Sequence, residues 1–105
     1  MRAEASGLAA LERSAKNMTY YLRPWDEVRG DQFDVWGTST WYFEVDSSGN
    51  VLRQVEVYRS GMVLKYDEAK RNDEFGGLAQ QPIDLMEFKE FSISKVEFDS
   101  RWATS

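Results

Sequence analysis

The side chains able to do chemistry in this sequence are carboxylates, hydroxyls and aromatic rings, because it contains no histidine and no cysteine. Without imidazole the usual acid–base group near neutral pH and the commonest metal ligand are both missing. Without a thiol there is no disulfide framework, no sulfur nucleophile and no cysteine zinc site. Neither a Ser-His-Asp triad nor a Cys-His pair can be built. A carboxylate pair of the glycosidase kind and a carboxylate-only magnesium site remain open. Glu44 and Glu56 fall on neighbouring predicted strands. If they share a face with Tyr42, Gln54 and Tyr58, that face suits a sugar or a nucleotide. The same residues also read as ordinary solvent-facing cross-strand pairs. The spacing Asp67…Asp73 does not follow the calcium-loop pattern, and Gly76-Gly77 lacks the lysine and hydroxyl of a phosphate loop. Tight backbone curvature accounts better for the two glycines. The expectation is a protein with no catalytic residues, no metal and no cofactor.

Binding chemistry is better represented. One acidic stretch holds Asp26, Glu27, Asp31 and Asp34, with Trp25, Phe33 and Trp36 among the acids. Large aromatics rimmed by charge are the composition of a protein-binding patch, and tryptophan is enriched at interface hot spots. Alternatively, the rings fold back to cap a sheet and the acids face water. A second set follows a predicted strand: Tyr66, Asp67, Asp73 and Glu74, interleaved with Lys70 and Arg71. It reads as a second contact loop or as a solvated loop of balanced charge. The formal net charge of −5 repels phosphate, so a nucleic-acid partner is not expected. The same charge speeds encounter with a basic protein, or simply maintains solubility.

The elements that must carry these residues are those of a single domain, since the chain has 105 residues. Residues 1–17 are Ala-rich and lack aromatic residues, and they read as a marginally helical upstream extension, set aside from functional argument. The domain is expected over 18–105. Thr19 to Leu22 reads as a strand stopped by Pro24, and 24–38 as a loop. Ser39–Asp46, Val51–Arg59 and Met62–Tyr66 form a predicted meander with turns at Ser47-Asn50 and Ser60-Gly61. Asp67 to Gly77 reads as a loop, Leu78–Gln81 as a short edge strand, Ile83–Phe88 as a helical turn and Phe91–Ile93 as extended. Ser94-Lys95-Val96-Glu97 matches the capping box and opens a C-terminal helix over 94–102 that buries Val96, Phe98 and Trp102. The fold class is α+β: an antiparallel meander packed with short helices. No apolar run approaches the roughly 18 residues that span a bilayer, and the first residues lack a secretory pattern, so a cytoplasmic protein is expected.

The stretch Val55-Glu56-Val57-Tyr58-Arg59-Ser60-Gly61, Lys65-Tyr66-Asp67, Phe75-Gly76-Gly77-Leu78, Pro82-Ile83, Phe88 and Ile93-Ser94-Lys95-Val96-Glu97-Phe98 with Trp102 resembles a family of small bacterial domains of unknown function. Its members look like immunity proteins encoded beside polymorphic toxins of contact-dependent or type VI systems. The resemblance covers about half of the chain, by motifs that are mostly structural. It implies a non-enzymatic inhibitor that binds one cognate toxin in the cytosol and occludes its active site, and the acidic residues above add the expectation that the toxin's cleft is basic. It carries over no functional residue. The alternative is a small-molecule-binding or regulatory domain that uses the Tyr42, Glu44, Glu56 and Tyr58 face, and a minor hydrolase is a third reading.

Overall fold

The computed structural model describes residues 18–104. The expectation of a helix over 1–17 lies outside them. The α+β reading holds: five antiparallel strands form one sheet, a two-residue pair forms another, and short helices pack against the larger sheet. The strands are β1 (Thr19–Trp25), β2 (Ser39–Val45), β3 (Val51–Tyr58), β4 (Val63–Tyr66), β5 (Asn72–Asp73), β6 (Gly76–Gly77) and β7 (Ser92–Ile93). The large sheet runs β4-β3-β2-β1-β7, and β5 pairs with β6.

The central strands form because β-branched and aromatic residues fill them and turn residues stop them. Asp46 closes the β2–β3 turn. Its Oδ1 accepts from the backbone N–H of Ser48 and Asn50, at 2.9 and 3.0 Å. Beyond that turn the ladder shifts. Val45 pairs with Val51 but Glu44 pairs with Arg53, so Leu52 is left without a partner as a bulge. Past the bulge Trp41 faces Glu56 and Tyr42 faces Val55.

This single extra residue decides what each face carries. Had the Val45–Val51 register continued, Tyr42 would stand opposite Gln54, and the polar residues of β2 and β3 would share a side. A one-residue slip exchanges the faces of a strand. The expected Tyr42, Glu44, Glu56 and Tyr58 surface is therefore divided. Glu44 and Glu56 lie on opposite sides of the sheet and cannot act as a carboxylate pair.

One face carries Tyr20, Tyr42, Glu44, Arg53, Val55 and Val57, and helix α2 (Lys95–Ala103) covers it. Phe98 of α2 is fully buried, with its ring centroid 5.4 Å from Tyr20. Arg53 bonds Glu44 at 2.8 Å and Asp99 at 3.0 Å while stacking 4.8 Å over Phe98. Ser94 caps the helix as expected, accepting from the Glu97 N–H at 3.0 Å. Val96 does not pack as expected. It is 77% exposed, because two residues from Phe98 is the opposite side of a helix.

The other face carries Tyr21, Arg23, Trp25, Trp41, Phe43, Gln54, Glu56, Tyr58, Leu64 and Tyr66. Helix α1 (Leu85–Phe88), started by Asp84, places Phe88 on Tyr21 and Phe43. Pro24 does not stop β1. It pairs opposite Thr40 where β7, which meets only Tyr20 and Tyr21, leaves the outer edge open, and proline is tolerated at an edge. The segment 78–81 is not a strand, because the side chain of Gln54 takes the place of a ladder partner. Gln54 Oε1 accepts from Ala79 N–H at 2.9 Å, and its Nε2 donates to the Gly77 carbonyl at 3.1 Å. Gly76-Gly77 belongs to the small hairpin rather than to a loop.

Candidate functional site

On this second face the sheet forms the floor of an open cleft of about 400 Å³. The floor is Trp41, Phe43, Glu56 and Tyr58, and the walls include Arg23, Trp25, Phe88 and the β5–β6 hairpin with Phe75. The residues 27–31 border its mouth. Clefts of this size, mostly apolar with a few convergent polar groups, are where proteins hold ligands.

The polar groups form one chain of hydrogen bonds. Arg29 Nη1 donates to the Tyr58 hydroxyl at 3.1 Å, and Tyr58 donates to Glu56 Oε1 at 2.6 Å. Gln54 Nε2 donates to Glu56 Oε2 at 2.7 Å. Glu56 is 3% exposed. Burial pushes its carboxyl above the usual range, and the bonds from Tyr58 and Gln54 oppose that rise. Burial and the adjoining Glu56 push the Tyr58 hydroxyl up to about 12. Such a perturbed carboxyl in a cleft marks a candidate site.

The two arginines are already engaged. Arg23 pairs with Glu87 at 2.9 Å and lies 4.7 Å over Phe88. Arg29 pairs with Asp31 at 3.0 Å, donates to the Phe75 carbonyl, and lies 5.2 and 5.4 Å over Phe33 and Trp36.

Of the residues expected to meet a partner, Trp25, Glu27 and Asp31 line the cleft, and Asp26 is exposed between the first two. Trp25 stays 45% exposed. The others, Glu74 apart, turn inward or are used locally. Trp36 stacks on Phe33 at 4.5 Å and meets Tyr58 at 5.2 Å, so here the folded-back alternative describes the ring correctly. Tyr66 is fully buried and donates to Asp73 at 2.8 Å, which leaves it no surface to offer. Asp73 also accepts from the Phe75 and Gly76 N–H groups, and Asp67 from those of Ala69 and Lys70. Asp34 accepts from the N–H groups of Gly30 and Asp31 and shapes the loop. Glu74 is exposed at the hairpin tip.

Arg23, Arg29, Trp41, Phe43 and Phe88 were missed as site residues, and Glu56 was assigned to the wrong surface. Arg29 carried a signal, being the lone cation in an acidic aromatic loop. Among the described residues no three acidic side chains converge to hold a metal ion, and no helix is long and apolar enough to cross a membrane.

The fold and the cleft define a small antiparallel α+β domain with a ring-lined, partly charged pocket. Comparison with protein-family models, curated proteins and solved structures finds no match to this chain.

Proposed function

We propose that this protein is a non-catalytic immunity protein of the bacterial cytoplasm, which binds a cognate toxin and blocks its basic active site. The observation that carries the reading is the mouth of the cleft. There a half-exposed Trp25 and an equally exposed Val28 sit among Asp26, Glu27 and Asp31. An exposed tryptophan ringed by acids fits an interface centre with a charged rim, and an acidic chain is steered toward a basic partner.

The test is a calorimetric titration of the purified product of the adjacent gene, the candidate toxin, with wild-type protein, Trp25→Ala and Glu27→Lys. Loss of an anchoring tryptophan costs about 2 kcal/mol, so Trp25→Ala is expected to weaken binding about thirtyfold. Glu27→Lys is expected to weaken binding through slower association, more so at low salt. Wild-type affinity in both variants, with both still folded, would reject the mouth as the contact surface.

The mostly apolar lining of the cleft, with Glu56 in its floor, favours a second reading, a small-molecule-binding or regulatory domain. This reading now belongs to the Glu56 and Trp41 face, since the polar face first considered is divided. Native mass spectrometry of freshly purified protein decides it: a bound small mass supports the second reading, and a bare chain removes it.

A further inference from the structure

Glu56 is the buried carboxylate of the cleft, and among the described residues it forms no ion pair. The neighbouring cations are committed elsewhere, Arg23 to Glu87 and Arg29 to Asp31. Its two oxygens accept one bond each, from Tyr58 and Gln54. An ionised carboxylate offers about four acceptor positions, so each oxygen can take a further donor. A desolvated anion of this kind is stabilised most by a cation that enters with its own donors.

The walls narrow the choice of cation. Trp25 and Trp41, with centroids 6.4 Å apart, flank the way to Glu56 together with Phe43. Ring faces attract cations, and a planar, weakly hydrated guanidinium stacks on them more readily than a strongly hydrated ammonium. The molecule already uses this packing internally, with Arg23 over Phe88 and Arg29 over Trp36. A guanidinium can also donate two parallel bonds to one carboxylate.

We infer that the cleft is a guanidinium pocket: an arginine side chain of the partner protein passes Trp25 and Glu27, lies along Trp41 and ends on the Glu56 carboxylate. The identity of the partner rests on the function proposed above, whereas the pocket can be tested without it.

The experiment titrates the protein with N-acetyl-arginine methylamide and follows the indole N–H resonances of its four tryptophans. The lysine and citrulline counterparts serve as comparisons, because citrulline keeps the shape and lacks the charge. The arginine probe is expected to shift the Trp25 and Trp41 signals saturably, with a dissociation constant of about 1 mM. The lysine probe is expected to bind about tenfold more weakly, and the citrulline probe not at all. Glu56→Gln is expected to abolish the shifts and Trp25→Ala to weaken binding, with thermal melts confirming that each variant folds. If Glu56→Gln does not fold, the citrulline comparison and Trp25→Ala still decide. Equal binding of citrulline and arginine, or unmoved indole signals, overturns the pocket. Neither result touches the toxin titration, so the two proposals fail separately.

Discussion

Glu56 sets the chemistry at the scale of single residues. Burial raises its pKa, as does nearby Asp73, while Tyr58 and Gln54 on its own strand and Arg29 from the loop hold it down. In the unfolded chain a glutamate titrates near about 4.3. Below that pH both states carry the proton, and the contribution of Glu56 to stability is fully present. As pH rises through the higher folded value, the native state must bury a charge, and the contribution is lost. The melting temperature of Glu56→Gln relative to wild type should therefore rise as pH increases from about 4.3 toward neutrality. Asp31, Asp46, Asp73 and Asp99, all held below their ordinary values, slope the other way. They are present in both proteins, so Asp31, Asp46 and Asp99 cancel in the difference, and Asp73, which is coupled to Glu56, cancels in part. A constant difference across that range would show that Glu56 is not titrating in a buried site.

At the scale of elements, α2 is joined to the sheet by packing at Phe98 and by charge at Arg53. Ser94→Ala removes the cap and should lower stability by about 1 kcal/mol in a denaturant titration. Glu44→Gln weakens the bidentate bond from Arg53 and the acceptor of the Tyr20 hydroxyl, and should cost about 2 kcal/mol. Both variants act on the face away from the cleft, so affinity for the proposed partner should be unchanged. Most elements were legible in the sequence, because alternation, turn residues and the Ser94 cap are local signals. The pairing of β2 with β3 was legible too, but its register was not. A bulge at Leu52 shows no composition of its own, yet it moved Glu56 from a supposed solvent face to the floor of a cleft. The continuation of β1 through Pro24 was hidden for a related reason, since whether proline ends a strand depends on what lies beside it.

At the scale of the molecule, acidic residues divide into those that hold the fold and those that face outward. The sequence groups Asp31 and Asp34 together as acids of one contact stretch. Asp34 in fact closes the loop through the Gly30 and Asp31 N–H groups. Asp34→Lys should lower the melting temperature, whereas Glu27→Lys should leave it within error and change only association. Differential scanning fluorimetry of the two variants tests this, and equal losses would erase the division. The candidate site was half legible for the same reason. Trp25 and Glu27 are surface features that composition can suggest. Arg23, Trp41 and Phe88 become neighbours only after three separate segments fold onto one face.

Gly49 holds the sheet and the cleft-covering segment in contact. Its φ is +91°, its carbonyl accepts from the Ile83 N–H at 2.9 Å, and a Cβ there would stand 2.6 Å from the Ile83 carbonyl oxygen. Ile83 leads directly into the helix that places Phe88 in the cleft wall. A methyl group added at this far hairpin would therefore press on the segment that leads to the pocket wall. Changes in ligand grip can arise from a position that never meets the ligand.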